Sequence, residues 1–467
     1  MNRKLIIGLL AVLTGLPLMA EKLIFHLDFN TVQMKHEAIS RILREVSSLG
    51  YDAILWEIED KVKWESVEVA HPEAFSKEEF RAILAEAKAL GLEPIPLMQT
   101  FGHAEYVLQK PKYAHLRELA EKEDCYCVSK PEVRDMQKRL VHEYLDLFGK
   151  DVKWFHLGGD EARYFAKCPV CSKRRPMELY AEHLLDVSSE LRANGVHPGI
   201  WCDMMLGKDY IADAALIPKD FIIWHWDYRV GTGEWLPPWT EKLPLLLQLG
   251  YDVAFAGSSH CGGDSPFFPD LSVHRRNIAY AAGKVREHKL KALCVTSWSV
   301  RQSLKELQYP ILKFAAKRLR SPSADVATDW SAALSAYGVT MSAAAADALT
   351  AWDPHFCDYD GRGAWNPYKD AKVPPPGTLA KSIAKKGPPP AASVSNILAG
   401  VRRTLPLATG LWKEAGKLEL ELLEDYAEIV AGREVRPRPP EWALRHLQRE
   451  QSPGSAANSA KLVGLQP

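Results

Sequence analysis

The sequence predicts an α/β fold of the TIM (β/α)8 type, with a helical region appended on its C-terminal side. Three observations predict it. First, one helix-to-strand junction recurs four times. Leu49-Gly50-Tyr51-Asp52 leads into Ala53-Ile54-Leu55-Trp56, and Leu90-Gly91-Leu92-Glu93 into Pro94-Ile95-Pro96-Leu97. Asn194-Gly195-Val196-His197 leads into Gly199-Ile200-Trp201, and Leu249-Gly250-Tyr251-Asp252 into Val253-Ala254-Phe255. The glycine fits a left-handed helix C-cap, which short helix-to-strand loops use. Second, helices alternate with buried apolar strands, the mark of a parallel sheet, and eight such units fit in about 300 residues, as a barrel with insertions requires. Third, no glycine-rich phosphate loop appears where the alternative, a doubly wound open sheet, would need one.

The elements follow in order. Residues 1–20 read as a secretory signal peptide. Arg3 and Lys4 precede an apolar run from Leu5 to Leu13, and the segment closes on the small residue Ala20. The run is short for a membrane span, and no cysteine follows it. The expected mature protein is exported, periplasmic or secreted, without stable membrane insertion. The barrel is expected over 21–322, with strands at 23–28, 53–57, 93–98, 152–157, 197–201, 221–226, 253–256 and 292–298. Helices are expected at 35–49, 75–90, 177–193, 272–288 and 304–319. The second opens on Ser76 and Glu79, a capping box. Residues 204–220 predict a short or irregular helix. Residues 323–450 form the helical C-terminal region, interrupted by a Pro-rich linker at 366–393. Residues 451–467 lack an apolar pattern and are expected to be disordered.

The composition bounds the function. The chain has 467 residues, enough for one large domain and an appendage. Its formal net charge is zero, which gives no support to nucleic acid as a partner. Fourteen tryptophans suit sugar faces, but they also fill large cores. Cys168-Pro169-Val170-Cys171 has metal-ligand spacing, and Cys125-Tyr126-Cys127 lies upstream. A four-thiolate zinc site, disulfides and buried thiols all fit these four cysteines, and export favours the last two.

The C-terminal ends of barrel strands share one mouth, where charged residues read as catalytic. The focus is Phe155-His156-Leu157-Gly158-Gly159-Asp160-Glu161. Side chains alternate along a strand, so two adjacent acids serve one site only where the backbone bends, and the glycines allow that bend. The other strand ends supply Asp28 and Asn30; Glu57, Glu59 and Asp60; Gln99, His103 and Glu105; Trp201 and Asp203. Later ends supply Trp224, Trp226, Asp227 and Tyr228; Ser258 and His260; Trp298 and Arg301. Singly, each has a bland structural reading. Jointly, aromatic walls and carboxylates at one mouth are what a sugar site requires.

His156-Leu157-Gly158-Gly159-Asp160-Glu161 resembles the signature of glycoside hydrolase family 20, the β-N-acetylhexosaminidases. The segment from Pro96 through Gln99-Thr100-Phe101-Gly102-His103 to Glu105 is similar to the hexosaminidase D branch. So is Tyr113-Ala114-His115-Leu116-Arg117-Glu118. The resemblance covers roughly residues 22–320. It implies removal of terminal β-linked N-acetylhexosamine from a glycan, with the substrate's own 2-acetamido oxygen as nucleophile. Glu161 would be the general acid, its pKa raised by neighbouring Asp160. Asp160 would orient the acetamido group, and Tyr228 would donate to its oxygen. Trp201, Trp226 and Trp298 would wall the acetyl pocket, with His103 among the residues lining the site. Glu59, Gln99 and His156 would support the carboxylates from behind. Asp203 and Asp28 would meet sugar hydroxyls. No cofactor and no metal is implied. Many members carry an arginine after the first strand, whereas this chain reads His26-Leu27-Asp28-Phe29-Asn30-Thr31. That leaves the gluco against galacto preference open. Two alternatives remain: a sugar-binding barrel without catalysis, and a retaining glycosidase in which Glu57 or Glu59 is a protein nucleophile.

Overall fold

Eight parallel strands close a barrel in sequence order. They are β1 (Lys22–Asp28), β2 (Ala53–Glu57), β3 (Glu93–Leu97), β4 (Trp154–His156), β5 (His197–Trp201), β6 (Ile222–Trp226), β7 (Asp252–His260) and β8 (Ala292–Ser297). The computed structural model describes residues 21–208, 210–230, 238–298, 303–352, 391–433, 439 and 441–463. The proposed signal peptide, Arg301 and linker residues 366–390 lie outside the described residues.

The strands close because every one is apolar on both faces. Ile24, Leu55, Ile95, Leu97, Trp201, Trp224, Ala254 and Cys294 fill the barrel interior. A second, larger cluster lies between the strands and the surrounding helices; Phe25, Ile54, Phe155, Ile223 and Leu293 belong to it. The predicted glycine caps hold: Gly50, Gly91, Gly195 and Gly250 all have φ between +70 and +81°. The capping box is present at the helix Lys77–Ala89, where Ser76 Oγ accepts from the Glu79 N–H and Glu79 accepts from the Ser76 N–H. The expected helix at 177–193 is broken at Ser188 into Pro176–Val187 and Ser189–Ala193. A long helix, Pro131–Phe148, fills the connection between β3 and β4.

The alternation of strand side chains places the mouth. Counting by twos outward from the interior residues Ile24, Leu55, Leu97, Trp224 and Cys294 reaches Asp28, Glu57, Gln99, Trp226 and Trp298. The register agrees, since Asp28 stands beside Glu57 across β1 and β2.

The C-terminal helices pack on the barrel. Gln451 bridges Met34, and the Gln33 N–H donates to Ser455 Oγ at 3.0 Å. The expected disorder after residue 450 is corrected here. Pro453–Val463 is a helix, and Ser455, Ala456, Ser459 and Ala460 are buried in it. Small residues carry little apolar signal along the chain, yet they allow a helix to approach its neighbour closely. Residues 391–393, expected at the end of the linker, begin the helix Ala391–Thr404.

Candidate active site

The bend after β4 is built by its neighbours. Gly158 and Gly159 have φ of +61° and +85°, which side-chain-bearing residues adopt at a cost. Space forbids a side chain there as well: a Cβ on Gly158 would lie 2.0 Å from Gln99 Oε1, and one on Gly159 2.3 Å from the Tyr180 hydroxyl. His156 is fully buried, and its Nδ1 accepts the Gly158 N–H at 2.9 Å. Burial depresses its pKa, so it stays neutral and can accept. Tyr180 donates to the Gly159 carbonyl at 2.9 Å and stacks on Phe101. A Cβ on Gly102 would lie 2.4 Å from the Asp160 carbonyl, so the β3 and β4 loops touch backbone to backbone.

This frame turns both acids to one side. His103 Nε2 lies 3.4 Å from Asp160 Oδ2 and 3.4 Å from Glu161 Oε2. The Glu161 N–H donates to Asp203 Oδ2 at 2.8 Å, and Asp203 Oδ1 accepts from Trp226 Nε1 at 2.9 Å. Three side-chain-bearing residues at the mouth hold left-handed backbone: Glu59 (φ +37°), His103 (+50°) and Glu161 (+43°). Each such conformation costs on the order of 1–3 kcal/mol and is typical of functional sites.

The two acids differ in environment. The Asp160 side chain is 10% exposed and that of Glu161 36%. Burial raises the Asp160 pKa; His103 opposes this and the Glu161 charge adds to it. Among the described residues, Asp160 Oδ1 has no hydrogen-bond partner. Burial also pushes Glu161 upward, but His103 and then Arg163 outweigh it and hold its pKa down to about 2. The expected upward shift of Glu161 is therefore corrected: in the free site the raised aspartyl neighbour is Asp160, and Glu161 is ion-paired. Arg163, whose Nη2 lies 3.1 Å from Glu161 Oε2, was missed in the sequence. Its position two residues after the acid was the only signal. For His103, burial acts downward but Asp160 and Glu161 raise its pKa well above the ordinary value. Burial, with Asp160 next, raises Asp203 to about 7.

The aromatic residues form a floor and a wall. Trp201 is fully buried beneath the mouth, its ring 4.3 Å from His156 and 6.0 Å from Trp298. Trp226, Tyr228 and Trp298 are partly exposed. Tyr228 stacks on Trp226 at 5.1 Å and stands 6.2 Å from Trp298. Burial raises the Tyr228 pKa well above the phenol range; Thr296 and Trp298 work against this, and the Asp160 charge adds to it. The hydroxyl is thus kept as a donor. Trp239, which the sequence reading passed over, packs edge-on against Trp226 and donates to its carbonyl at 2.8 Å.

Three further expected residues lie at the ends of β1, β2 and β3. Asp28 is fully buried and accepts the Asn30 N–H at 2.6 Å, so it braces the turn after β1. Glu59 accepts from Asn30 Nδ2 at 3.2 Å, and its carbonyl from Trp64, on the β1–β2 side rather than behind the carboxylate pair. Gln99 donates to Glu57 Oε1 at 2.9 Å and also hydrogen-bonds the Asp160 side chain, as expected of a residue behind the carboxylates, while His26 Nε2 lies 3.0 Å from Glu57 Oε2. Burial, and then the Asp28 charge, raise the Glu57 pKa well above the carboxylate range.

Comparison with known proteins agrees with this geometry. Residues 34–253 match the model of Glycosyl hydrolase family 20, catalytic domain. The chain is 28% identical over 292 residues to Hexosaminidase D of Bos taurus, covering 58% of this chain and 83% of that one. It is 28% identical over 294 residues to Hexosaminidase D of Homo sapiens, covering 58% of this chain and 59% of the human protein. The chain thus spans less than two thirds of the human relative. Its fold is shared with the β-N-acetylhexosaminidase from Bacteroides fragilis, with a TM-score of 0.54 at 17% identity, over 68% of this chain and 70% of that one. Residues 34–253 are therefore similar to the catalytic domain of glycosyl hydrolase family 20.

Proposed function

We propose that this protein is an exo-acting, retaining β-N-acetylhexosaminidase that works by substrate-assisted catalysis. The observation that carries the reading is the pairing of a buried acid, whose Oδ1 lacks a partner among the described residues, with a more open acid beside it, both bridged by His103. The acetamido oxygen attacks the anomeric carbon as the glycosidic bond breaks. Glu161 gives its proton to the leaving oxygen. Asp160 Oδ1 accepts the acetamide N–H and faces the positive charge that develops on the ring so formed. Tyr228 donates to the acetamido oxygen. Water then loses a proton to Glu161 and opens the ring at the anomeric carbon, which restores the acetamide with net retention.

Glu161 must hold a proton at the first step, yet it is ion-paired in the free site. A sugar over the mouth removes water and separates Glu161 from Arg163, whose side chain is 71% exposed and free to move aside. Both changes raise the proton affinity of Glu161. Protonated His103, 3.4 Å away, is the adjacent proton source.

The alternative with Glu57 as protein nucleophile is disfavoured by its surroundings: it is 1% exposed and held by His26 and Gln99, and burial pushes its pKa upward. The test is hydrolysis of aryl β-N-acetylglucosaminide and β-N-acetylgalactosaminide by the wild type, Glu161→Gln and Asp160→Asn. Release that collapses in both variants and is blocked by a thiazoline analogue supports the proposal. Release that survives Asp160→Asn but not Glu161→Gln rejects the acetamido nucleophile. The pattern of residues 1–20 supports export. N-terminal sequencing of protein recovered outside the cytoplasm should begin at Glu21.

A further inference from the structure

Beyond the sugar site, the β3–β4 side of the barrel holds a cluster that the proposed chemistry does not use. Glu118, Cys127, Cys168 and Cys171 are all buried, and their ligand atoms lie within 4.8 Å of one another. Cys127 Sγ stands 3.7 Å from both Cys168 Sγ and Cys171 Sγ, and Cys171 Sγ is 3.5 Å from Glu118 Oε2. We propose that these four residues bind a zinc ion in a closed, tetrahedral structural site.

Distances decide between the three readings of the cysteines. A disulfide needs sulfurs about 2.05 Å apart. The described cysteines are free and buried. Zinc with Zn–S bonds of about 2.3 Å and a Zn–O bond of about 2.0 Å has tetrahedral edges of about 3.8 Å between sulfurs and about 3.5 Å from sulfur to oxygen. The observed separations match both edges. Buried thiols packed as small apolar groups would explain contact between sulfurs. They would not explain a buried carboxylate converging on them.

The surroundings suit an anionic ligand set. The Cys171 N–H points at Cys168 Sγ at 3.4 Å, Ser129 Oγ lies 2.9 Å from Cys171 Sγ, and the Cys168 N–H donates to Glu118 Oε1 at 2.8 Å. That last bond leaves Oε2 for the metal. The four-thiolate reading of the sequence is revised in one ligand: Glu118 takes the place given to Cys125, whose carbonyl instead accepts the Glu118 N–H at 2.9 Å. The other convergent group, Cys261, Asp264 and His274, differs in kind. Asp264 Oδ2 already accepts from the Cys261 N–H and lies 2.7 Å from His274 Nε2.

The position gives the site a purpose. Cys168 and Cys171 lie in the loop that carries Asp160 and Glu161. Glu118 and Cys127 lie in the segment strapped to the His103 loop, through Tyr126 N–H to the Phe101 carbonyl at 3.0 Å and Ala104 N–H to the Asp124 carbonyl at 3.2 Å. A zinc ion would clamp the two loops whose strained residues, His103 and Glu161, must meet. On binding, the three thiols lose their protons to solvent, and Glu118 binds as the carboxylate.

The experiment uses the full-length mature protein. Expected results are about one zinc per chain by elemental analysis, and cobalt substitution that gives the intense bands of a tetrahedral thiolate site. Cys168→Ser and Glu118→Gln should each lower retained metal at a fixed chelator concentration, while Cys125→Ser retains it. Chelation should lower the thermal midpoint of the wild type and expose three additional reactive thiols. Because the zinc content, cobalt spectrum and thiol count are read on the wild type, misfolding of a variant leaves the test intact. Metal-free protein that takes up no cobalt overturns the proposal. So does a mass lower by two hydrogens that maps to a bond among Cys127, Cys168 and Cys171.

Discussion

The ends of β4 and β7 each hold a buried aspartate beside a histidine, and they treat it in opposite ways. Asp264, after β7, is fully buried, with His274 Nε2 2.7 Å from Oδ2, the Cys261 N–H donating to Oδ2 at 2.7 Å and the Asp270 N–H to Oδ1 at 3.3 Å. Burial works to raise its pKa, but His274 and the backbone donor outweigh it and hold the carboxyl well below the ordinary range. Ser258 Oγ meets the other nitrogen of His274 at 2.9 Å, so the network closes on itself. Asp160, after β4, keeps an oxygen without a partner among the described residues, and its pKa is raised. The difference teaches what marks a working acid. Burial, a histidine and a second acid nearby (Asp270 at β7, Glu161 at β4) are common to both residues; among the described residues the unfilled acceptor distinguishes β4.

Substitutions can break or sharpen this contrast. The largest effect is expected for Glu161→Gln, which removes the group that moves the proton. kcat/KM on an aryl N-acetylhexosaminide should fall on the order of 10³–10⁴-fold, with the thermal midpoint unchanged. Asp264→Asn should do the reverse. Breaking a buried, hydrogen-bonded pair costs about 3 kcal/mol, read as a lower denaturant midpoint, while the folded fraction keeps its kcat. A large fall in kcat at constant folded fraction would place β7 in the catalytic machinery and erase the contrast.

Tyr228→Phe removes one donor aimed at developing charge, so kcat should fall by about 10²-fold with little change in KM. Rescue of kcat by raised substrate concentration would instead assign Tyr228 to ground-state binding. The smallest effect belongs to Arg163→Gln. A cation near Glu161 favours its ionised form, so its loss raises the Glu161 pKa. A general acid works below its pKa. The alkaline limb of kcat/KM should therefore move to higher pH, by roughly 0.5–1 unit. A shift to lower pH would show that the group titrating on that limb is not held by this cation.

Much of the barrel was legible because its signals are local. A glycine that ends a helix and an apolar run that starts a strand lie within a few residues of each other, and β2 and β5 occur at the predicted residues 53–57 and 197–201. The Asp160–Glu161 bend was legible for the same reason. The helix Pro453–Val463 was not, because its buried face is alanine and serine, and its serines find their partners in Gln33, Glu73 and Gln451 once the fold brings them together. Asp28 ends a strand, which by itself says only that it reaches the mouth. Whether such an acid faces solvent or the next turn depends on Asn30 and on the packing above it.

By itself the sequence determined the order of strands and helices, the bend after β4 and which residue types reach one mouth. These follow from periodicity and backbone preference, which act over a few residues. Tertiary structure alone decided the protonation balance, since the charges that set it come from β3, β4 and β5 together: His103 and Arg163 hold Glu161 ionised, and burial beside Glu161 raises Asp160. It also decided which four ligands converge, placing Glu118 rather than Cys125 among the three thiols. Electrostatic energy and metal geometry depend on distance through space, and the chain order does not encode that distance until the barrel closes.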